Sequence, residues 1–77
     1  MSNVFVYSTQ SCPFCHMAKE YLVEKKVEFT DYDVGNDEKR AEEMIQKSGQ
    51  MGVPVLEING EIVIGFNKPE IDRLLGL

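Results

Sequence analysis

A chain of 77 residues, 43% hydrophobic, with 13 acidic and 8 basic side chains, makes one small domain and leaves little room for a deep internal cavity, so any active site is expected on the surface. Its net charge of −5 disfavours nucleic acid and anionic membranes as partners, because both call for basic patches. No apolar run approaches the roughly 18 residues of a membrane span. The start, Met1-Ser2-Asn3-Val4-Phe5, lacks the basic and apolar regions of an export signal, so a cytoplasmic location is expected.

Val4-Phe5-Val6-Tyr7 is β-branched and aromatic throughout and predicts a strand buried on both faces. Ser8 to Ser11 reads as a polar loop. Phe14, Met17, Ala18, Tyr21 and Leu22 then follow the i, i+3, i+4, i+7, i+8 spacing of a core-facing helix, expected from Pro13 to about Lys25. A proline is tolerated in a first helical turn, and Lys25 and Lys26 suit the negative end. Val27 to Val34 predicts a second strand. Gly35-Asn36-Asp37 breaks the pattern and offers an N-cap for a second helix, which carries Ala41, Met44 and Ile45 inward and ends at Ser48-Gly49. Val53 to Ile58 and Glu61 to Ile64 flank Asn59-Gly60, a strong hairpin signal. Pro69 to Leu75 closes the chain as a short helix with Ile71, Leu74 and Leu75 inward. The four methionines read as ordinary core fillers.

The order β-α-β-α-β-β-α over residues 1–77 describes a single domain of the α/β class. A right-handed crossover pairs the first two strands in parallel, the hairpin adds an antiparallel pair, and a mixed four-stranded sheet flanked by three helices is expected. So short a chain shows no surplus apolar surface, so a monomer is expected.

The two cysteines are Cys12 and Cys15. Four or more cysteines would be usual in a disulfide scaffold. A bridge across so small a loop would also stabilise the fold little. Chemistry is the better reason for the pair. Cys12 falls at the start of a helix, where unpaired N–H groups and the macrodipole favour negative charge on a sulfur. Cys15 sits one turn further in, more buried, and close enough for a disulfide. Cys12 is therefore expected to attack a substrate disulfide, and Cys15 to attack the mixed disulfide that results. Pro13 limits the freedom of the turn, and Phe14 completes it.

Other readings of Cys12-Pro13-Phe14-Cys15-His16 compete. The string is formally a haem attachment site, but that requires an exported protein with a pocket for a macrocycle. A zinc site needs four ligands, and only Cys12, Cys15 and His16 are close in sequence. Two incidental core cysteines would be the plainest reading, yet they are not usually paired at a helix start. His16 reads as a solvated helix residue, and Glu42 and Glu43 as a solvated face. Val53-Pro54 opens a strand where proline is allowed. An X-Pro bond is also where a cis peptide is found. The Val53 backbone would then be free to pair with an extended thiol peptide.

The first strand, Cys12-Pro13-Phe14-Cys15, Val53-Pro54, and Gly65-Phe66 before the last helix together resemble a glutaredoxin of the thioredoxin fold, across essentially the whole chain. The resemblance implies a cis bond at Pro54 and glutathione as reductant, with no metal or prosthetic group. It implies protein disulfides and glutathionylated proteins as substrates. It also implies a glutathione groove, whose positions here are Thr9, Val53, Pro54, Gly65, Phe66, Asn67 and Lys68. The chain departs from that pattern at Thr9, where a basic residue is common, at Gly52, where threonine is common, and at Gly65, where two glycines are common. Glutathione carries two carboxylates and wants cations and N–H groups, so a weaker glutathione site is expected. The departures give the alternative, a glutaredoxin-like redoxin recharged by thioredoxin reductase that serves ribonucleotide reductase. A third reading is a non-enzymatic module holding a cluster or zinc between two subunits through Cys12.

Overall fold

The run of branched and aromatic residues at the start of the chain becomes β1 (Val4–Ser8), one of the two central strands in the sheet. The other elements are α1 (Pro13–Glu24), β2 (Thr30–Asp33), α2 (Glu38–Ser48), β3 (Val55–Ile58), β4 (Glu61–Ile64) and α3 (Lys68–Leu75). The computed structural model describes residues 3–77. Its strand order is β2-β1-β3-β4, with β1 parallel to β2 and antiparallel to β3, and β3 antiparallel to β4. This is the mixed sheet and three-helix arrangement of the thioredoxin fold.

Alternation along the strands builds two cores. Val4, Val6, Leu56 and Ile58 pack against Ala18, Tyr21 and Leu22 of α1 and Ile71 of α3. Tyr7 and Val55 face the other way, with Met44 of α2 over them and Phe5 half-buried beside them. Leu22, Leu56, Ile58 and Ile71 are fully buried, each stabilising by about 1.5–3 kcal/mol relative to exposure. Leu22→Ala would cost about 2–5 kcal/mol.

The helix stripe differs in phase from the expected one. Ala18, Tyr21 and Leu22 are buried, but Phe14 and Met17 are 60% and 46% exposed and Cys15 is inside instead. Positions 15, 18 and 22 form a valid stripe that shares residues with the expected one, and the sheet selects it. Ile45 and Met51 are likewise exposed, and Ala41 is half-buried. Of the methionines in the described residues, Met44 alone fills the core; Met1 lies outside them. Leu74 and Leu75 are half-buried against the first core.

The ladder of β2 is shorter than the 27–34 run. Val27 N–H closes α1 by donating to the Leu22 carbonyl at 2.9 Å, and Val27 and Phe29 pack on the first core. Asp37 caps α2 by accepting from the Arg40 N–H at 3.2 Å. The hairpin turn places Asn59 at φ 51° and Gly60 at φ 88°, the left-handed pair that this dipeptide tolerates. Asn59 N–H donates to the Asn3 carbonyl and its Oδ1 accepts from the Asn3 N–H, at 2.8 and 3.0 Å. The hairpin is thereby tied to the start of β1.

A charged lattice fixes α2 to the sheet. Buried Tyr7 donates its hydroxyl to Glu43 at 3.0 Å, and burial leads the causes that raise its pKa. Lys47 spans Glu43 and Glu57 of β3 at 3.1 and 2.9 Å. Arg40 bonds Glu43 and lies 4.1 Å from the Tyr32 ring centre. Glu43 is therefore a structural link and not a solvated helix residue, because three partners from α2 and β1 converge on it.

Candidate active site

Cys12 is the N-cap of α1, with extended backbone at φ −92° and ψ 111°, and Pro13 opens the helix behind it. A cap side chain accepts from a free N–H two or three residues on. Here the acceptor is Cys12 Sγ, which takes the Cys15 N–H at 3.2 Å. Cys12 is half-buried while Cys15 is fully buried, and both are free thiols. Burial pushes the Cys15 thiol up to about 11, and its neighbour Cys12 adds to the rise. A backbone hydrogen bond from Thr9 and the charge of Lys19 oppose it.

Lys19 is held in place by two strands. Its Nζ bonds Asp31 of β2 at 3.0 Å and Ser8 of β1 at 3.4 Å. The Ser8 hydroxyl, itself buried, donates to Asp31 at 2.7 Å. The sequence reading missed this trio. Lys19 stands four residues after Cys15 on one helix, a spacing that signals a shared face.

The loop before Cys12 is pinned on both sides. The Gln10 carbonyl accepts from His16 Nε2 at 2.7 Å, so His16 is exposed, as expected, yet bonded. Gln10 Nε2 donates to Asp33 at 3.2 Å. Asp33 also collects the Asn36 amide and the Gly35 N–H, and these donors, Asn36 foremost, hold its carboxyl below the usual range. The Cys12 N–H lies 3.5 Å from the Thr9 carbonyl.

Opposite Cys12 stands the loop into β3. The Val53–Pro54 bond is cis. The Cys12 thiol donates to the Val53 carbonyl at 3.8 Å. The Pro54 carbonyl accepts from the Gly65 N–H at 2.8 Å, which brings the end of β4 alongside. Cys12, Cys15, Val53, Pro54 and Gly65 are thus linked by a continuous set of contacts. Pro13 and Phe14 are exposed beside Cys12.

The remaining expected groove residues have partners of their own. Thr9 turns its methyl toward Gly35, with Cγ2 3.6 Å from where a Cβ on that glycine would lie. Phe66 packs edge-on to Tyr21 with ring centres 5.9 Å apart. Asn67 caps α3 by accepting from the Glu70 N–H at 3.4 Å. Lys68 Nζ lies 4.9 Å from the Tyr21 ring centre. The Tyr21 hydroxyl donates to Asp72, and that bond, ahead of burial, raises the phenol to about 12.

Cavities among the described residues lie away from this site. A cleft of about 530 Å³ runs along Asn3 to Phe5 and Val27 to Thr30, at the end of β1 remote from Cys12. A pocket of about 150 Å³ lies among the charged groups under α2. Among the described residues, no group of three or more His, Cys, Asp or Glu side chains is placed to hold a metal ion.

The comparisons with known proteins agree with this geometry. The glutaredoxin family model matches residues 4–63. A glutaredoxin-like 8.6 kDa protein from the rubredoxin operon of Clostridium pasteurianum is 51% identical over 91% of this chain and 93% of its own. Glutaredoxin 3 of Escherichia coli K12 is 37% identical over 84% of this chain and 78% of its own. The crystal structure of a glutaredoxin from Archaeoglobus fulgidus superposes with a TM-score of 0.88 at 26% identity, over 97% of this chain and 87% of that one. The chain therefore belongs to the glutaredoxin family and is a thiol-disulfide oxidoreductase.

Proposed function

We propose that the protein reduces glutathione mixed disulfides and protein disulfides, with glutathione as its reductant, through Cys12 as nucleophile and Cys15 as resolving thiol. One observation carries the assignment of roles: Cys12 Sγ is the half-exposed cap acceptor of α1, while Cys15 is buried with its thiol pushed up to about 11. Cys12 attacks the substrate sulfur, the disulfide breaks, and the leaving thiolate takes up a proton. A second glutathione then attacks the sulfur bound to Cys12, which releases the Cys12 thiolate and leaves a glutathione disulfide. On the other route Cys15, once deprotonated, attacks Cys12 Sγ, expels the bound thiol and forms the Cys12–Cys15 disulfide, which two glutathiones reduce in turn. The Val53 backbone beside Cys12 suits an extended thiol peptide. The identity with Glutaredoxin 3 supports glutathione as that peptide.

A second reading has an observation in its favour. Two large apolar side chains close in sequence to Cys12 and Val53 are exposed, Phe14 at 60% and Met51 at 77%, and Lys68, the cation among the expected groove positions, sits over Tyr21. Such a surface suits a protein partner better than a dianion. On this reading thioredoxin reductase recharges the protein, which then donates electrons to ribonucleotide reductase or a similar enzyme.

The test is the source of electrons. A glutathione mixed disulfide is supplied with glutathione, glutathione reductase and NADPH in one assay, and a protein disulfide with thioredoxin reductase and NADPH in another. NADPH loss in the first assay that survives in Cys15→Ser is the expected result. Loss only in the second, abolished by Cys15→Ser, replaces the first reading with the second.

A further inference from the structure

Gln50 follows the end of α2 and folds back onto its own chain. Its Oε1 accepts from the Gly52 N–H at 2.6 Å, and its Nε2 donates to the Gly52 carbonyl at 3.0 Å. One side-chain amide thus takes both polar backbone groups of a single residue. The amide is itself anchored, because Nε2 also lies 3.4 Å from Ser48 Oγ, whose hydroxyl bonds the Met44 carbonyl at 2.7 Å in the last turn of α2.

The consequence passes along the peptide plane. Among the described residues the only cis bond is Val53–Pro54, so the Gly52–Val53 bond is trans and its carbonyl and N–H point in opposite directions. With the Gly52 carbonyl turned to Gln50, the Val53 N–H is turned away from it. The Pro54 carbonyl is occupied by Gly65, and proline has no N–H to offer. The Val53 carbonyl lies at Cys12 Sγ. Among the described residues, the Val53 N–H has no partner, and it belongs to the residue whose carbonyl meets Cys12 Sγ, so it is a backbone donor left for an incoming chain beside the nucleophile.

We propose that Gln50 is a positioning residue for substrate docking: by holding both polar groups of Gly52, its amide aims the Val53 N–H at the extended chain that carries the substrate sulfur. The inference rests on Val53 as the docking backbone, as proposed above. It also accounts for glycine at position 52, where a Cβ would lie 2.7 Å from Gln50 Oε1. A Cβ there requires the amide to shift off Gly52.

Four variants test it: Gln50→Ala, Gln50→Glu, Gly52→Ala and the double variant Gln50→Ala/Gly52→Ala. The substrate is a glutathionylated peptide, and alkylation of Cys12 by iodoacetamide, which needs no docked chain, is the control. Each single variant is expected to lower kcat/KM about tenfold, roughly one net hydrogen bond, mainly through KM. Gln50→Glu belongs with the losses, since its carboxylate can accept from Gly52 N–H but repels the Gly52 carbonyl. Alkylation should stay within about twofold of wild type, and the double variant should be no worse than either single one, because both remove one clamp. A wild-type KM in Gln50→Ala with normal alkylation, or additive losses in the double variant, overturns the proposal. Should the wild type ignore the glutathionylated peptide but reduce a protein disulfide with thioredoxin reductase, the glutathione reading falls. The same variants measured on that protein disulfide then decide the role of Gln50.

Discussion

The backbone N–H of Cys15 donates to the sulfur of Cys12 across 3.2 Å, so the buried cysteine supports the exposed one before either reacts. The two thiols differ in surroundings more than in sequence. One is half-exposed at a helix start, and the other is sealed behind it with its thiol raised to about 11 by burial. That asymmetry yields separate expectations for the two residues.

Cys12→Ser should abolish all disulfide reduction, while Cys15→Ser should keep the reaction with glutathione mixed disulfides and lose that with protein disulfides. Stopped-flow mixing with each substrate class checks this. Equal activity of the two variants on glutathione mixed disulfides, or reduction of protein disulfides by either one, would contradict the roles.

The Cys15 thiol also predicts a pH dependence of stability in the reduced protein. An acid whose pKa is higher folded than unfolded makes its full contribution below the unfolded value, and that contribution is lost as pH rises toward the folded value. For Cys15 the window runs from about 9 to about 11. Tyr21 acts similarly from 10 to about 12. Urea unfolding of the reduced protein should therefore show stability falling through this range. Cys15→Ala should flatten the lower part and Tyr21→Phe the upper.

Tyr21→Phe carries a second expectation. It removes the hydroxyl that ties α1 to Asp72 of α3 but keeps the ring beneath Lys68 and against Phe66. The loss should be small, that of one net hydrogen bond, as read by urea unfolding at neutral pH. A loss several times larger would mean that the ring packing had failed as well.

Lys19 faces Cys15 from α1 and is steadied by Asp31 and Ser8. Lys19→Met should move the Cys15-dependent step to higher pH and slow it by roughly twofold at neutral pH, since the Lys19 charge is the smallest of the influences on that thiol. Lys19→Arg should restore most of it. Measured in Cys15→Ser, the same substitution should leave the pH profile of the remaining reaction in place.

Much of the molecule was legible in the chain because its signals are local. Asn59-Gly60 announces its turn, Asp37 announces the start of α2, and Cys12-Pro13 announces both a helix start and a chemistry. The phase of α1 was not legible, since Phe14 and Cys15 open two stripes that share Ala18, Tyr21 and Leu22, and only the sheet chooses between them. Pairings across the fold were equally silent. Nothing near Glu43 names Tyr7, and nothing near Lys47 names Glu57. Lys19 was within reach from its spacing to Cys15. The grip of Gln50 on Gly52 was not, because a glutamine in a loop has no preferred partner until the backbone is placed.

The cap of α1 links redox chemistry to ordinary unfolding. A sulfur that joins another sulfur is a poorer acceptor for the Cys15 N–H, so each oxidation of Cys12 weakens the first turn of the helix. Whatever free energy the cap contributes to the dithiol form must reappear in the electron equilibrium, at about 30 mV for each 1.4 kcal/mol. The reduced and oxidised unfolding free energies, taken with the potential of the unfolded chain's dithiol, therefore give the potential of the folded protein, and a second acceptor installed at this helix end would make the protein a weaker oxidant.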